Sequence, residues 1–406
     1  MTGALAGTRV LDIANFFAGP HACMMLADMG ADVIKVEQPP RGDPTRNRED
    51  DSGYAASFVA KNRNKRSIVL DLKSVAGQDV LRRLVRESDV IVTSMRPQTR
   101  DRLGLTYDQI APVNPRLVYC SITGYGETAL ATDRPAFDTT AQALSGLLSL
   151  ITSNFDQPMA IKALLADMLA GHYAAHGIVC ALLARERTGR GQEIRTSLLE
   201  ASIAFADSAF YHVLLAQSLG LPKKQQEMRT AGFLFVAGDG LPFAVHVPPS
   251  PEKNWISYTD AMGMPELRED PRFKLKLPRD ENYPALHAEI SRQVKKHPRT
   301  YWLDRLIAHD VPCAPIYGMG EVFHDPLVES LGMLHTVRDP WGQDRQVVGA
   351  GLRLSDSTVE RPSRAPLMGE HTREILAALK YSSAEVDALE IQRAVISSAE
   401  AKDRPA

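Results

Sequence analysis

Apolar residues in the first part of the chain come in short blocks, and these blocks predict strands and helices in turn. Apolar runs bounded by polar residues or glycine are typical of buried strands, and they occur at residues 8–14, 31–37, 66–72, 89–95 and 117–126. Segments with helical spacing lie between them, at residues 19–30, 75–87 and 107–112. Strands that alternate with helices predict an α/β fold with a mostly parallel sheet, wound with helices on both faces.

The loops that follow these strands are the expected ligand-binding segments. Open α/β sheets bind ligands at the carboxyl ends of their strands. In this chain the corresponding loops are residues 15–20, 38–46, 94–102 and 123–138. We interpret a charged stretch beside the second loop, RNREDD at residues 46–51, as a solvated loop.

The second part of the chain changes character twice. One long helix is predicted over residues 162–193, where it ends at a Gly-Arg-Gly turn, and another over residues 200–220. From about residue 221 the chain is richer in proline, tryptophan and charge, and short strands followed by helices predict a smaller α+β domain. After residue 325 come a hairpin-like or extended segment and a helix, MGEHTREILAALKY.

Composition narrows the class of protein. The chain has 406 residues, which suggests two domains, and its net charge of -2 argues against nucleic-acid and membrane-surface binding. Its four cysteines form no CxxC pair, so neither a zinc site nor a redox motif is indicated, and a reducing compartment is expected. No segment reaches the ~20 apolar residues of a membrane helix, and we therefore expect a cytoplasmic protein without a membrane partner.

Several common catalytic motifs are missing from the sequence. No GxGxxG, GxxxxGK[ST] or GxSxG pattern is found, which disfavours dehydrogenases, nucleotide-triphosphate enzymes and serine hydrolases. His172 and His176 have the spacing of metal ligands on a helix, but Tyr173 stands where a metalloprotease has glutamate, and no third ligand is evident. We therefore expect no metal and two packed or exposed histidines.

Asp167 lies near the start of the long helix, on a face that offers it no partner. Its neighbours three and four positions away cannot neutralise a carboxylate, and they are Ala163, Leu164, Ala170 and Gly171. A buried carboxylate without a partner is costly, so it should be capped, paired or used. Two hypotheses stay open at this point. Asp167 is a structural residue that caps a helix or meets a distant arginine, or it is a nucleophile or general base with a tuned pKa.

Several long segments of the chain resemble segments of a known enzyme family, and they follow one another in the same order over nearly the whole chain. They are GTRVLDIANFFAGPHACMMLADMGADVIKVEQPPRGDPTR, NKRSIVLDLK, RDRLGLTYDQIAPVNPRLVYCSITGYG, RPAFDTTAQALSGLLS, the Asp167 helix with RTGRGQEIRTSLLE, and MGEHTREIL. Together they resemble the family III CoA-transferases, the group of formyl-CoA transferase and carnitine CoA-transferase. Long collinear segments of this kind are more specific than any short motif.

The resemblance implies a fold and an assembly. The family fold has a large, doubly wound, mostly parallel sheet domain built from both chain ends, with a smaller inserted α+β domain, and two chains form an interlocked homodimer. On this chain it implies a large domain at residues 1–220, a small domain at 221–325 and a return to the large domain at 326–406. It also implies that acyl-CoA and a carboxylic acid bind as substrates, without a tightly bound cofactor.

The resemblance also assigns residues to the site. It implies that Asp167 is the catalytic nucleophile. From this role we hypothesise that transfer passes through an aspartyl-CoA thioester and that small neighbours such as Gly171 let substrate approach. Positions that match CoA or substrate contacts of the family are Phe17, Ala18, Gln38, Leu70, Lys73, Ser94, Met95, Arg102, Phe137 and Asp138. Gln38 replaces an arginine of some members, which directs a phosphate contact to Arg41 or Arg46.

Two other functions stay open as alternatives. A 2-methylacyl-CoA racemase pairs the aspartate with a histidine where this chain has Phe137, so one of its two proton-transfer groups is missing. An inactive acyl-CoA-binding subunit is the second alternative, because VHVPPSPEKNW replaces a glycine-rich loop that formyl-CoA transferases carry over the active site. Phe16 and Phe17 in the first loop hint at an apolar or aromatic acid as substrate.

Overall fold

A computed structural model describes residues 2–49, 52–131, 134–152, 159–221, 232–248 and 252–397 of the chain. The chain divides into two compact units, one formed by Met1–Asp207 with Gly332–Ala406 and the other by Ser208–Leu331. The domain ranges drawn from the resemblance, 1–220, 221–325 and 326–406, stay a prediction.

The described residues form strands, α-helices and a few short 3-10 helices. The strands are β1 (Arg9–Asp12), β2 (Asp32–Glu37), β3 (Lys65–Leu70), β4 (Val90–Thr93), β5 (Val118–Thr123), β6 (Glu193–Ser197), β7 (Gly232–Val236), β8 (Pro242–His246), β9 (Cys313–Pro315), β10 (Leu334–Arg338), β11 (Asp344–Val348) and β12 (Val395–Ile396). The α-helices are α1 (Ala18–Asp28), α2 (Ala56–Asn62), α3 (Val75–Arg86), α4 (Pro97–Arg102), α5 (Tyr107–Ile110), α6 (Asp138–Leu144), α7 (Leu147–Ile151), α8 (Leu165–Thr188), α9 (Leu198–Phe205), α10 (Asp207–Ser218), α11 (Lys253–Met262), α12 (Lys276–Glu281), α13 (Tyr283–Val294), α14 (Arg299–Ala308), α15 (Pro326–Ser330), α16 (Thr372–Ala378) and α17 (Ser383–Ile391). The 3-10 helices are Pro44–Asn47, Pro265–Arg268 and Val322–His324.

The described part of the first unit is built on a seven-stranded sheet in the order β12-β3-β2-β1-β4-β5-β6. Neighbouring strands are parallel except for β12 and β3, which are antiparallel. This confirms the predicted large, mostly parallel sheet. The strand order reverses between β1 and β4, and α/β folds open a binding crevice at such a reversal.

Helices cover both faces of this sheet. Successive side chains of a strand point to opposite faces, and in β1 Val10 enters one core and Leu11 the other. The first core lies under α1, α8 and α9 and is rich in alanine and valine. The second lies under α3, α5, α16 and α17 and is rich in leucine and isoleucine. The small side chains of the first core allow α1 and α8 to lie close together.

Residues near the end of the described chain complete the first unit. β12 pairs with β3, and Val395 lies opposite Leu70. Thr372 Oγ1 donates a hydrogen bond of 2.8 Å to the Ile396 carbonyl, which fixes α16 to β12. Before this return, β10 and β11 form an antiparallel hairpin, which confirms the hairpin-like segment predicted after residue 325.

The second unit has a core of its own. Its described strands β7, β8 and β9 form an antiparallel sheet. Helices α11, α13 and α14 pack on that sheet around the buried aromatic residues Trp302, Tyr258 and Phe273. The Trp302 indole N–H donates to the Val294 carbonyl at 2.8 Å, so its polar atom is satisfied inside the core. Short strands followed by helices are the pattern that the sequence predicts for this part.

Two details of the helical predictions need comment. The predicted helix at residues 200–220 is two helices, α9 and α10, which are separated at Ala206. The long helix α8 ends at Thr188 before Gly189, whose φ of +70° suits a glycine, as the predicted turn requires. No single described helix is long and apolar enough to cross a membrane, although α9 and α10 taken together pass that test by length and composition.

Candidate active site

A cleft of about 530 Å³ opens in the first unit where β1, β4 and β5 end. Its walls come from the loops after these strands, from the segment after β2, and from the starts of α6 and α8. The lining residues are Asn15–Ala18, Pro44, Thr45, Arg48, Ser94–Pro97, Ile122–Gly126, Ala131, Arg134, Ala136–Thr139, Leu164, Asp167 and Leu198. The cleft therefore lies at the carboxyl ends of these strands, where the sequence predicts a ligand, and also at the reversal of strand order.

Hydrogen bonds tie the loops around the cleft together. The Asn15 N–H donates to Ser94 Oγ at 3.0 Å, and Ser94 Oγ donates to the Asn15 carbonyl at 3.3 Å. Phe16 has φ +67°, an uncommon value for a residue with a side chain, and its N–H donates to Asp43 Oδ1 at 3.4 Å. The Phe16 ring meets the Phe137 ring edge-on, with 5.5 Å between centroids. Segments far apart in the sequence thus form one wall.

A buried ion cluster, formed by Asp12, Lys35, Asp43 and Lys65, lies at the base of these loops. Lys65 Nζ is 2.8 Å from Asp12 Oδ2, and Lys35 Nζ is 2.8 Å from Asp43 Oδ2 and 3.7 Å from Asp12 Oδ2. Lys35 also donates to the Ala14 carbonyl at 2.9 Å. All four side chains are shielded from solvent, where an unpaired charge is costly. The cluster therefore joins the loop after β1 to the segment after β2.

Asp167 lies in the first turn of α8, and its backbone is held by Asp138. The Asp167 N–H donates to Asp138 Oδ1 at 3.1 Å, and the Gln142 amide donates to Asp138 Oδ2. Leu164, the residue before α8, has no side-chain oxygen to cap the helix. Asp138 therefore satisfies one of the free N–H groups that every helix start exposes. The capping role considered for Asp167 belongs to Asp138 instead.

The Asp167 carboxyl forms no hydrogen bond and no ion pair with any residue that the structure describes. Burial and then the neighbouring Asp138 carboxylate raise its pKa to about 7, while Arg48 and Lys61 oppose the rise. Burial also raises the pKa of Asp138, which its hydrogen bonds from the start of α8 and from Gln142 partly offset. A carboxyl that titrates near neutral pH is typical of catalytic acids, bases and nucleophiles.

Small residues after Asp167 bring α8 against α1. Ala170 and Gly171 are buried, and a Cβ on Gly171 would lie 2.8 Å from the Ala18 carbonyl oxygen and 2.9 Å from His21 Cδ2. The expectation that Gly171 leaves room for substrate is therefore wrong, because this space is taken by α1. The close contact places the first residue of α1 beside the turn that carries Asp167.

The structure brings together seven of the residues that the resemblance assigns to the site. The residues that line the cleft are Phe17, Ala18, Ser94, Met95, Phe137, Asp138 and Asp167. Leu70 is fully buried in the sheet core, and Lys73 and Arg102 are exposed outside the cleft lining. The Gln38 amide nitrogen is buried without a hydrogen bond among the described residues. A role of these four in CoA binding stays a prediction.

Arg46 does not suit the phosphate contact expected of it. Its guanidinium donates to both Glu37 carboxylate oxygens at 2.7 Å and lies 3.7 Å from the centroid of the Phe58 ring. The whole side chain is buried. A buried bidentate pair cannot release its arginine to a ligand without leaving the carboxylate unpaired, so this expectation is wrong. Arg41 is exposed and lies outside the cleft lining.

Arginines outside the predicted set line the cleft, namely Arg48, Arg96 and Arg134. The Arg48 guanidinium lies over the Phe17 ring, 4.9 Å from its centroid, and that of Arg134 lies 4.6 Å from the Tyr125 centroid. None of the three pairs with a carboxylate among the described residues. Arg96 lies three residues after the end of β4, in a loop that the sequence predicts to bind ligand. Arg48 lies in the charged stretch that we interpret as a solvated loop.

The two histidines with metal-ligand spacing do not converge on a metal site. His172 Nδ1 is 2.8 Å from the Met168 carbonyl oxygen and 3.3 Å from His21 Nε2. Burial, and then Lys61, lower the pKa of His21 to about 3, so this ring stays neutral at physiological pH. Over the ranges that the structure describes, no group of three His, Cys, Asp or Glu side chains could hold a metal ion.

The sequence is similar over almost its whole length to one group of enzymes. The sequence model of the family described as CoA-transferase family III matches residues 5–372. A formyl-CoA:oxalate CoA-transferase of Streptomyces avermitilis is 34% identical over 394 residues, which cover 92% of this chain and 95% of that protein. The protein of the same name from Escherichia coli O6:H1 is 31% identical over 429 residues, which cover 97% of this chain and 100% of that protein.

Solved structures lead to the same group. A CAIB/BAIF family protein from Brucella suis is 32% identical with a TM-score of 0.80, over 93% of this chain and 100% of that chain. Rv3272 from M. tuberculosis is 27% identical with a TM-score of 0.78, over 92% of this chain and 98% of that chain. With sequence, fold and cleft in agreement, the chain belongs to the family III CoA-transferases and is a CoA-transferase, a class of enzymes that use CoA thioesters as substrates.

Proposed function

We propose that this chain moves CoA from an acyl-CoA donor to a carboxylic acid acceptor through a thioester on Asp167. The observation that carries the proposal is the Asp167 carboxyl, which lines the cleft, has no partner among the described residues and has a pKa raised to about 7. A carboxylate held in an ion pair is stabilised and therefore less nucleophilic, whereas the carboxylate at this position is poorly stabilised.

The reaction consists of substitutions at carbonyl carbons. An Asp167 oxygen attacks the thioester carbon of the donor, the C–S bond breaks, and a mixed anhydride and CoA thiolate form. The thiolate attacks the Asp167 carbonyl carbon, which releases the donor acid and leaves Asp167 as a CoA thioester. The acceptor carboxylate attacks this thioester and expels the thiolate again. The thiolate then attacks the acceptor carbonyl, which yields the new acyl-CoA and restores the Asp167 carboxylate.

The cleft offers groups that suit CoA. Arg96 and Arg134 line its wall, and guanidinium groups form strong paired hydrogen bonds with phosphate oxygens. Ser94 and Met95 line the cleft at the reversal of strand order, where α/β folds bind nucleotide-containing ligands. We infer that the phosphates bind on the β4 side and that the thioester reaches Asp167 at the start of α8.

The two alternative functions have less support. Phe137, at the position of the racemase histidine, exposes 61% of its surface and carries no group that can move a proton. The segment VHVPPSPEKNW, on which the inactive-subunit alternative depends, includes residues 249–251, which lie outside the described residues. The raised pKa of Asp167 favours an active enzyme over an inactive binding subunit.

Trapping the covalent intermediate tests the proposal. The protein and an Asp167→Asn control are incubated with a panel of acyl-CoAs and quenched with hydroxylamine, which converts an aspartyl thioester or anhydride to a hydroxamate. We expect peptide mass spectrometry to find the hydroxamate on Asp167 in the parent protein and on no residue of the control. Measurable CoA binding without any acyl-CoA-dependent label would contradict the proposed intermediate.

We further propose the interlocked homodimer that the resemblance implies. A second cavity of about 1190 Å³ in the first unit is lined largely by apolar side chains from α1, α8 and residues 346–352. On α8, Tyr173, Val179 and Leu183 are exposed in the single chain, and apolar surface of this extent is usually covered by a partner. Light scattering after gel filtration should give twice the chain mass. A monomer at micromolar concentration would contradict this assembly.

A further inference from the structure

Arg48 presents a free guanidinium inside the cleft. It is exposed, it forms no ion pair or hydrogen bond with the described residues, and it lies over the Phe17 ring at 4.9 Å from the centroid. A cation that rests on an aromatic face keeps the N–H donors at its edge available. Arg48 can therefore offer two parallel N–H groups to a carboxylate that enters the cleft.

A series of contacts places Arg48 beside the turn that carries Asp167. Phe17, under the Arg48 guanidinium, directly precedes Ala18, whose carbonyl oxygen would be 2.8 Å from a Cβ on Gly171. Gly171 lies about one helical turn beyond Asp167. Arg48 and Asp167 both line the cleft. Burial raises the pKa of the Asp167 carboxyl, and Arg48 is the strongest of the groups that oppose this rise.

Two exposed aromatic rings lie on the same side of the cleft. Phe16 and Phe137 meet edge to face at 5.5 Å, line the cleft and expose 39% and 61% of their surfaces. Phe137 directly precedes Asp138, the residue that caps the Asp167 turn. Exposed aromatic surface is stabilised when an apolar group covers it. The Phe16–Phe137 pair therefore suits the apolar body of a substrate.

We propose that Arg48 binds the carboxylate of the acid that accepts CoA, and that this acid is a monocarboxylic acid whose apolar or aromatic body covers the Phe16–Phe137 pair. The inference rests on the proposed function and names its substrate class. In the step concerned, an acceptor carboxylate oxygen attacks the carbonyl carbon of the Asp167 thioester. The C–S bond breaks and its electron pair leaves with the CoA thiolate. Arg48 holds the attacking carboxylate in position for this step.

Other cations near the cleft are less suited to this role. Arg134 lies over the Tyr125 ring and Arg96 directly precedes α4, and neither is among the groups that shift the Asp167 pKa. Both line the cleft, where they can face the CoA phosphates. Lys61 also opposes the rise in the Asp167 pKa, but it lines the second cavity and not the cleft. Among the cationic residues that the structure describes, Arg48 alone both lines the cleft and acts on the Asp167 carboxyl.

Steady-state kinetics of Arg48→Gln test the inference, with Arg134→Gln as the matched control. In Arg48→Gln we expect the KM for the acceptor acid to rise about 10- to 100-fold and the KM for the donor acyl-CoA to change less than about twofold, because one charge-assisted contact to the acid is lost. Arg134→Gln should show the reverse split. Arg48→Lys should recover part of the acid binding, since it keeps the charge and loses the paired N–H groups.

A substrate panel tests the class of acid. The parent protein should use apolar and aromatic monocarboxylates better than oxalate. Phe137→Ala should lower kcat/KM for an aromatic acid about 5- to 10-fold through lost apolar contact, and Phe137→Leu should lower it less. A parent protein that prefers oxalate over every apolar acid would overturn the substrate class.

The results separate this inference from the proposed function. An unchanged KM for the acid in both Arg48→Gln and Arg48→Lys overturns the role of Arg48. A donor KM that rises in place of the acid KM also overturns it, because Arg48 would then hold a CoA phosphate. Failure of the proposed function has a different signature, which is the absence of an Asp167 adduct in the parent protein whatever stands at position 48.

Discussion

The first unit contains a group of paired buried charges and a single unpaired carboxyl, and the environments of these charges differ. The buried ion cluster of Asp12, Lys35, Asp43 and Lys65 pairs its charges at close range. The Asp167 carboxyl, by contrast, has no partner among the described residues. Paired charges hold loops in place, whereas a half-buried carboxyl without a partner stays high in free energy and is available for reaction.

The pKa values show the same contrast. Burial alone would lower the pKa of Lys35 and raise that of Asp43, yet the opposite charges beside them raise the pKa of Lys35 and lower that of Asp43. At Asp167 burial dominates and raises the pKa to about 7. The fold therefore favours the charged forms of Lys35 and Asp43 and the protonated form of Asp167.

The largest effect is expected when Asp167→Asn removes the proposed nucleophile. Transfer should fall by about 10³-fold or more, because an amide cannot form the thioester that carries CoA. The affinity for CoA, measured by titration calorimetry, should change little, since the arginines of the cleft remain. Transfer at a near-normal rate in Asp167→Asn would show that Asp167 is not the nucleophile, and the contrast with the paired cluster would have no catalytic meaning.

The same substitution in the paired cluster, Asp12→Asn, should act on stability. It leaves Lys65 buried without its carboxylate partner, and breaking a buried pair in this way costs about 3 to 5 kcal/mol in the free energy of unfolding. Chemical denaturation followed by circular dichroism measures the loss. If the loss stayed below about 1 kcal/mol, the pairing would not hold the loops as described.

At Asp167 the change from aspartate to asparagine should have the opposite sign for stability. Aspartate has a pKa of about 3.9 in unfolded chains, and the pKa of Asp167 is about 7 in the folded protein. The folded state therefore binds more protons between these pH values, and the parent protein loses stability as the pH rises through them. Asp167→Asn avoids that loss.

We expect Asp167→Asn to gain about 1 to 3 kcal/mol at pH 8 and close to nothing at pH 4. Thermal unfolding of both proteins across this pH range measures the difference. A variant that is less stable than the parent protein at pH 8 would show that the carboxylate is satisfied in the fold, contrary to the contrast drawn above.

The smallest effect is expected from Asp138→Asn, which removes the like charge beside Asp167. Asparagine keeps an oxygen that accepts from the Asp167 N–H, so the start of α8 stays capped. Without the second carboxylate the Asp167 pKa should fall, and the acidic limb of the pH profile of kcat/KM should move down by about half a unit to one unit. Arg48 and Lys61 still act on the carboxyl. An acidic limb that stays in place or moves to higher pH would show that the Asp138 carboxylate does not raise the Asp167 pKa.

Much of the first sheet could be predicted because strands buried on both faces carry blocks of apolar residues. Each of β1 to β5 contains such a block, and its apolar side chains enter the two cores. β6 reads EIRTS and is partly exposed, and β12 has two residues, so their strand character comes from pairing with β5 and β3. The break between α9 and α10 at Ala206 carries no proline or glycine to announce it.

The candidate site could be predicted only in part. Asp167 can be found from the sequence because no helix-face neighbour can pair with it, but its small neighbours face α1, which the spacing does not reveal. Arg46 and Arg48 look equivalent in a charged stretch. Arg46 is buried because it pairs with Glu37, whereas Arg48 lines the cleft. The difference depends on the path of the backbone after β2, which the sequence does not reveal.

The pairing of β12 with β3 has a consequence for the order in which the molecule matures at the ribosome. β3 is synthesised early, while Val395 and Ile396, which cover its outer edge, come after the whole segment Ser208–Leu331. The helices α16 and α17, which close the leucine-rich core, are equally late. A nascent chain that has already made the Asp167 cleft therefore still exposes an open strand edge and an uncovered apolar face, the features on which chaperones and aggregation act.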